Sequence, residues 1–193
     1  TYIGNNYNND RPFNGTIDEV RIYNRALSPQ EVWEHYHGNY SNETELVLYL
    51  PFKDGSGQTA EDLSGNGNDG VLGGTTSVED SDPTWTTETR RVDGIGKLNG
   101  ADVFDGVDDY VGFPGLNLLD GATEMSVSAW VYVTELSSTY QGIVMRDQSG
   151  GGTYDVYSLL IDNNNKFAAR VYNSSGVTGV VSSTASLGWH HLA

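Results

Sequence analysis

The residues of this chain best suited to chemistry are hard oxygen donors gathered in glycine-bent turns. Asp62-Leu-Ser-Gly-Asn-Gly-Asn68 sets one carboxylate and two carboxamides around Gly65 and Gly67, which let the backbone wrap. A calcium-type cation takes roughly six to eight oxygens at once, and carboxylates, Asn amides and carbonyls of such a loop can supply them. The spacing is not that of an EF-hand, because Gly73 stands where the twelfth-position Glu would be. The same residues also read as a plain turn whose side chains satisfy its own amides. Asp105, Asp108 and Asp109 form a second acidic group, read either as ligands or as caps on local N–H groups.

Catalytic readings find little support. Retaining glycoside hydrolysis needs two carboxyl groups about 5.5 Å apart on one face. The strand-like runs Met125 to Val133, Gly142 to Arg146 and Lys166 to Tyr172 carry no acidic pair, and a Glu-x-Asp-x-x-Glu string is absent. His190 and His191 lack any supporting triad motif and read as packed strand residues. His35 and His37 are spaced i, i+2 on a helical segment, do not face each other, and are expected to be solvated. With no cysteine, neither a thiolate nucleophile nor a cysteine-bound zinc is available. Sugar binding asks for exposed aromatic platforms beside Asn and Asp. Tyr7, Tyr140, Tyr154 and Tyr157 lie on or beside polar loops, and the last three are the expected ligand contacts. They read equally as contacts between modules, since Tyr is favoured at interfaces. Trp33 and Trp130 read as packing residues.

The elements that must position these groups are strands. In Phe13 to Leu27 a period of two puts Ile17, Glu19, Arg21 and Tyr23 on one face and Thr16, Asp18, Val20 and Ile22 on the other. β-Branched content and the flanking Asn14-Gly15 predict a strand about ten residues long. Ser28-Pro29-Gln30-Glu31 is a helix start, with Ser as N-cap, Pro in the first turn and Glu completing a capping box. Residues 38–45 are polar and unpatterned, the expected linker. Further strands are expected at Thr1 to Gly4, Leu46 to Phe52, either side of an Asp105-Gly106 hairpin turn, Met125 to Val133, Gly142 to Arg146, Tyr154 to Ile161, Lys166 to Tyr172 and Gly176 to Ser182, with a final one from Gly188. Thr75 to Arg91 reads as an acidic surface excursion.

At 193 residues, 37% of them hydrophobic, the chain can bury one good core. Turn clusters rich in Gly, Asn, Asp and Ser recur at sandwich-like spacing, so an all-β, two-sheet antiparallel sandwich with one short helix is expected. The net charge of −16 argues against a nucleic-acid partner, which needs a basic footprint. No apolar run reaches the ~20 residues of a membrane span.

Several strings carry a family likeness. The Thr16-Ile-Asp-Glu-Val-Arg-Ile-Tyr strand with its capped helix resembles the C-terminal signature of laminin-G-like domains of the concanavalin A-like jelly-roll superfamily. Leu46 to Phe52 with the Asp62 to Asn68 loop resembles that family's N-terminal signature. Phe104-Asp-Gly-Val-Asp-Asp-Tyr-Val111, Met125 to Val133 and Gly188-Trp-His-His-Leu-Ala193 match its middle. Residues 1–37 thus resemble a domain's end and residues 46–193 its beginning and middle, an order that is permuted or spans a domain boundary. The resemblance implies a concanavalin A-like jelly roll whose first and last strands lie side by side, either within this chain or between neighbours of a tandem array. It also implies Ca2+ near a sheet rim, carried over to Asp62, Asn66 and Asn68, with Asp18 approaching if the terminal strands pair. The function it implies is that of a non-catalytic extracellular or cell-surface module. Such a module would be a repeat of an adhesin or filament, in contact with identical or tandem neighbouring modules and with glycans. The alternative is a carbohydrate-binding module of a secreted glycan-degrading enzyme. The sequons at Asn14, Asn39, Asn42 and Asn173 are candidate glycosylation sites.

Overall fold

In a computed structural model, residues 1–86, 100–113, 118–119, 121–147, 155–173 and 176–193 are described. Fourteen strands and one helix account for most of them: β1 (Tyr2–Ile3), β2 (Asn14–Tyr23), α1 (Pro29–Tyr36), β3 (Leu46–Leu50), β4 (Thr59–Ala60), β5 (Gly70–Leu72), β6 (Thr84–Thr86), β7 (Ala101–Asp105), β8 (Val111–Gly112), β9 (Ser126–Val133), β10 (Gln141–Asp147), β11 (Asp155–Ile161), β12 (Lys166–Asn173), β13 (Gly176–Thr184) and β14 (Gly188–Leu192). They form two antiparallel sheets. One runs β13-β12-β11-β10-β1-β8-β5-β4; the other runs β14-β9-β2-β7-β6, with β3 also paired to β2.

The ten-residue β2 is the axle of the smaller sheet. β9 lies along one side; on the other, β7 pairs with Asn14–Ile17 and β3 continues against Val20–Tyr23. The strands that resemble a domain's last and first are therefore hydrogen-bonded to each other inside one chain, with Val20 opposite Leu50 and Ile22 opposite Leu48. Ile17, Val20, Ile22, Leu48 and Leu50 are fully buried, together with Phe52, Phe104 and Val131, between the sheets. Each such side chain contributes roughly 1.5–3 kcal/mol of transfer free energy.

Strict alternation fails at one point in β2. Asp18 faces Trp130 and Arg21 faces Ser128, so three steps of β2 oppose two of β9. Glu19 is the extra residue, with φ of 52°, a β-bulge that resets the pleat. Ile17 consequently joins Val20 and Ile22 on the core side, and Asp18, Arg21 and Tyr23 share the outer side. The period-two assignment of Ile17 to the face of Arg21 and Tyr23 is corrected by this insertion.

The Asp105-Gly106 turn is likewise not a hairpin. β7 belongs to the smaller sheet and β8 to the larger, so the turn carries the chain from one layer to the other. The acidic stretch read as a surface excursion contains β6, which pairs with β7. The helix forms as expected: Ser28 Oγ accepts the Glu31 N–H, and the Glu31 carboxylate accepts the Ser28 N–H.

Candidate functional site

Three places gather the side chains that the sequence singles out. The first is the loop after β4. Asp62 Oδ1 accepts the amides of Tyr49 (3.0 Å) and Ser64 (2.9 Å), while Oδ2 accepts the Asn68 amide (2.9 Å) and the Ser64 hydroxyl (2.8 Å). The Asn66 carboxamide donates to the Leu46 and Val47 carbonyls, and that of Asn68 donates to Val47. The loop thus closes on β3 through its own hydrogen bonds, the Asx-turn arrangement, and both carboxylate oxygens are already engaged. Asp18 is held elsewhere. It is fully buried on β2 and accepts the Glu19 amide, and its charged neighbours are Glu19, Lys53 and Arg21. Burial, followed by repulsion from Glu19, pushes its carboxyl well above the ordinary range. As arranged, Asp62, Asn66, Asn68 and Asp18 do not fit a shared calcium ion. Among the described residues the group of carboxylates close enough to share one is Asp105, Asp108 and Asp109, whose oxygens lie within 4.8 Å of one another. Asp109 Oδ2 also accepts the Asp105 amide at 2.7 Å, and Asp105 Oδ1 accepts that of Val107. Burial and the repulsion of Asp105, Asp108 and Asp82 push the Asp109 carboxyl up to about 7.

The second place is the outer face of the smaller sheet, under α1 and residues 37–45. Arg21 is buried there between two rings, its guanidinium 3.5 Å from the Tyr40 centroid and 3.8 Å from that of Tyr49. It pairs with Glu19 at 2.8 Å and Glu43 at 3.4 Å. Lys53 reaches Glu19 at 3.3 Å, and Tyr23 donates to Glu43 at 3.0 Å. Arg25 forks onto Glu31 (2.8 and 3.0 Å) and bonds the carbonyls of Asn42 and Thr44. The Arg25 bond and the Ser28 amide together hold the Glu31 carboxyl down to about 2. The segment read as a linker is therefore docked on the sheet through Tyr40 and Glu43. His35 is not solvated: its ring is buried, stacked on Tyr23 and tilted against Tyr40. Burial and the Arg21 charge lower its pKa. His37 and Trp33 occupy the exposed side, with Trp33 57% accessible. Trp130 is buried by the stacked Tyr36 ring. His191 packs on Trp130 and His190 on Phe167.

The third place is a rim cleft of about 450 Å³ beside β1 and β8. Tyr7 is 61% exposed at the tip of the loop joining β1 to β2. Asparagine side chains hold that loop rigid. Asn5 Oδ1 accepts the Asn6 and Arg11 amides, Asn5 donates to Asn9 Oδ1, and Asn6 Oδ1 accepts the Asp10 amide. Tyr7 meets Tyr2 edge-on at 6.2 Å, and Tyr2 tilts against Tyr110 at 5.7 Å. Asn9, Thr75, Glu79 and Asp108 line the opposite walls. Tyr2 and Tyr110 are missing from the expected set because they are far apart in sequence, and only the pairing of β1 with β8 joins them. The expected ligand tyrosines lie elsewhere. Tyr140 is half-buried between Arg11 and Arg170 (5.5 and 4.8 Å), and Tyr157 is 3% exposed in the core with its hydroxyl 3.2 Å from that of Thr1. Tyr154 lies outside the described residues.

Two antiparallel sheets closed over a shared core, with, among the described residues, one capped helix on the smaller sheet, define a jelly-roll sandwich. The laminin-G-like family model of the concanavalin A-like lectin/glucanases superfamily matches residues 1–33 and 104–193, more than half of the chain. The chain belongs to that family, and the two matched blocks agree with a split or permuted order. Domains of this kind are generally non-catalytic and often extracellular. No curated protein and no solved structure matches the chain. Among the described residues no helix is long and apolar enough to cross a membrane.

Proposed function

We propose that the chain is a non-catalytic module of an extracellular or cell-surface protein, a repeat of an adhesin or filament that works by contact with identical or tandem neighbours. One observation carries this reading. In a chain of net charge −16, residues 171–193 contain no Asp, Glu, Lys or Arg, and they form β13 and β14 at one side of the sandwich. Two copies of so acidic a protein repel everywhere except where charge is absent. Sedimentation velocity over rising protein concentration and ionic strength tests it. Self-association that strengthens with salt is expected, and a monomer at every concentration and salt sinks it.

A second reading, glycan binding, is favoured by the Tyr2–Tyr7–Tyr110 cleft, where exposed aromatic surface meets Asn and carboxylate groups. A glycan array probed with the wild type and with Tyr7→Ala decides it: signal lost in the variant supports the cleft, and no signal from the wild type removes it. Calcium belongs to the proposal at Asp105, Asp108 and Asp109, where it would neutralise the crowded carboxylates. Glycosylation is proposed at Asn39, which is exposed on the docked connector. The Asn42 amide is engaged by Glu31, Asn14 donates to Glu135, and the Asn173 side chain lies outside the described atoms.

A further inference from the structure

The edges of the two sheets are unequal. Among the described residues, on one side the sheets end in β4 and β6, of two and three residues, short for templating another strand. On the other side the larger sheet ends in β13, nine residues long and, among the described strands, bonded only to β12. Its ladder with β12 runs unbroken from Ala168 opposite Val181 to Asn173 opposite Gly176. Every residue from Thr178 to Thr184 is exposed, including Val180 at 71% and Val181 at 50%. The strand carries no charge and no proline, the two devices that usually blunt such an edge.

We propose that β13 is a self-association edge, pairing antiparallel with β13 of a second copy about a two-fold axis and joining the two larger sheets into one. This deepens the self-association reading above and rests on it. The occupant is fixed by three properties. Among the described residues the outer side of β13 presents a row of unpaired N–H and C=O groups, a pattern that an extended backbone matches. The strand's own valines and threonines suit direct cross-strand pairing with themselves. The −16 charge excludes a second copy from most other approaches, whereas an isologous contact at β13 sets no charge against charge. Space permits it as well. Val180 pairs with Ala169, which pairs with the core residue Leu159, so all three share the inner face; Val180 is nonetheless exposed. The smaller sheet therefore does not cover Val180; among the described residues it approaches β13 only at Ser182 and Ser183, which share a cleft with Trp189 and His190 of β14.

The absence of cysteine makes the test clean. Single variants Thr178→Cys, Val180→Cys and Ser182→Cys of the full chain are oxidised, and the covalent dimer fraction is read on non-reducing gels. Each residue away from a two-fold moves its mates about 6.6 Å further apart along the strands. Positions two residues off the axis then exceed the ~7 Å Cα limit for a disulfide. A sharp maximum at one position is expected, and Val180→Lys and Val181→Lys should weaken self-association by about tenfold or more through like charges placed opposite each other. Because these positions are exposed, the variants should melt with the wild type. Association with a flat cross-linking profile, or one untouched by the lysines, overturns the β13 assignment and leaves the broader reading standing. A wild type that stays monomeric overturns both.

Discussion

Replacing Arg21 by Met tests whether the charged and aromatic cluster holds the connector between β2 and β3. The Arg21 and Glu19 side chains are 3% and 8% exposed, so removing the guanidinium strands a buried carboxylate. Losing one partner of a buried pair costs roughly 3–5 kcal/mol. Lys53 at 3.3 Å and the Tyr49 hydroxyl at 3.1 Å stay on Glu19 and pull the cost towards the lower end. The vacated space between Tyr40 and Tyr49 removes two cation–ring contacts of about 0.5–2 kcal/mol each, part of which Met recovers by packing. A net loss of about 3 kcal/mol follows, a large share of the roughly 5–15 kcal/mol that stabilises a domain. For a chain of this size it lowers Tm by about 6–12 °C. Urea unfolding followed by circular dichroism measures it, and limited proteolysis should cut first within residues 37–45 as Tyr40 and Glu43 lose their anchor. Arg21→Lys, which keeps the charge but not the planar fork, should cost about half as much. A Met variant within about 0.5 kcal/mol of the wild type, with an uncut connector, would refute the reasoning.

The buried carboxyls should contribute a loss of stability as pH rises across the acidic to neutral range, opposed by Glu31, whose carboxyl is held down to about 2. Asp18, Asp102 and Asp109 all have native pKa values raised, chiefly by burial, so the native state holds their protons longer than the unfolded chain does. The penalty is absent below about pH 4, the ordinary carboxylate value, builds as pH rises from there towards each native pKa, and levels off above it. For Asp109, about three pH units at ~1.4 kcal/mol each set a ceiling near 4 kcal/mol. Asp109→Asn, measured in chelator, should therefore gain on the wild type at pH 8 and not at pH 4, and a pH-independent gap contradicts this. Asp102→Asn should behave likewise, since among the described residues neither of its oxygens has a hydrogen-bond partner and Asp54 and Asp109 repel it. Calcium at the Asp105, Asp108 and Asp109 group should raise stability by about 2.7 kcal/mol at a hundredfold excess over Kd. Asp108→Asn should abolish that gain, and identical melting curves in calcium and in chelator would remove the ion from this domain.

Much of the fold was legible because local rules act alone there. The Ser28 capping box, the ten-residue β2 and the alternation that sends Ala129, Val131 and Val133 inward are each written in a few neighbouring residues. The family strings, read in permuted order, told which strands should meet, and β2 and β3 do meet. The sites were far less legible. Asp62, Asn66 and Asn68 have the composition of an ion loop, yet composition does not say whether oxygens point to a cation or to the loop's own amides. Tyr140 and Tyr157 look like loop platforms until packing assigns their surroundings.

What the sequence by itself determined is a two-sheet sandwich with a strongly acidic surface and a charge-free terminal stretch, since periodicity, caps and charge are properties of near neighbours. Only the tertiary structure decided the Glu19 bulge, the layer-crossing turn at Asp105, the burial of His35 and the meeting of Tyr2, Tyr7 and Tyr110. Each depends on which residues from distant parts of the chain arrive on the same face, and a one-residue slip in a period of two reverses that face.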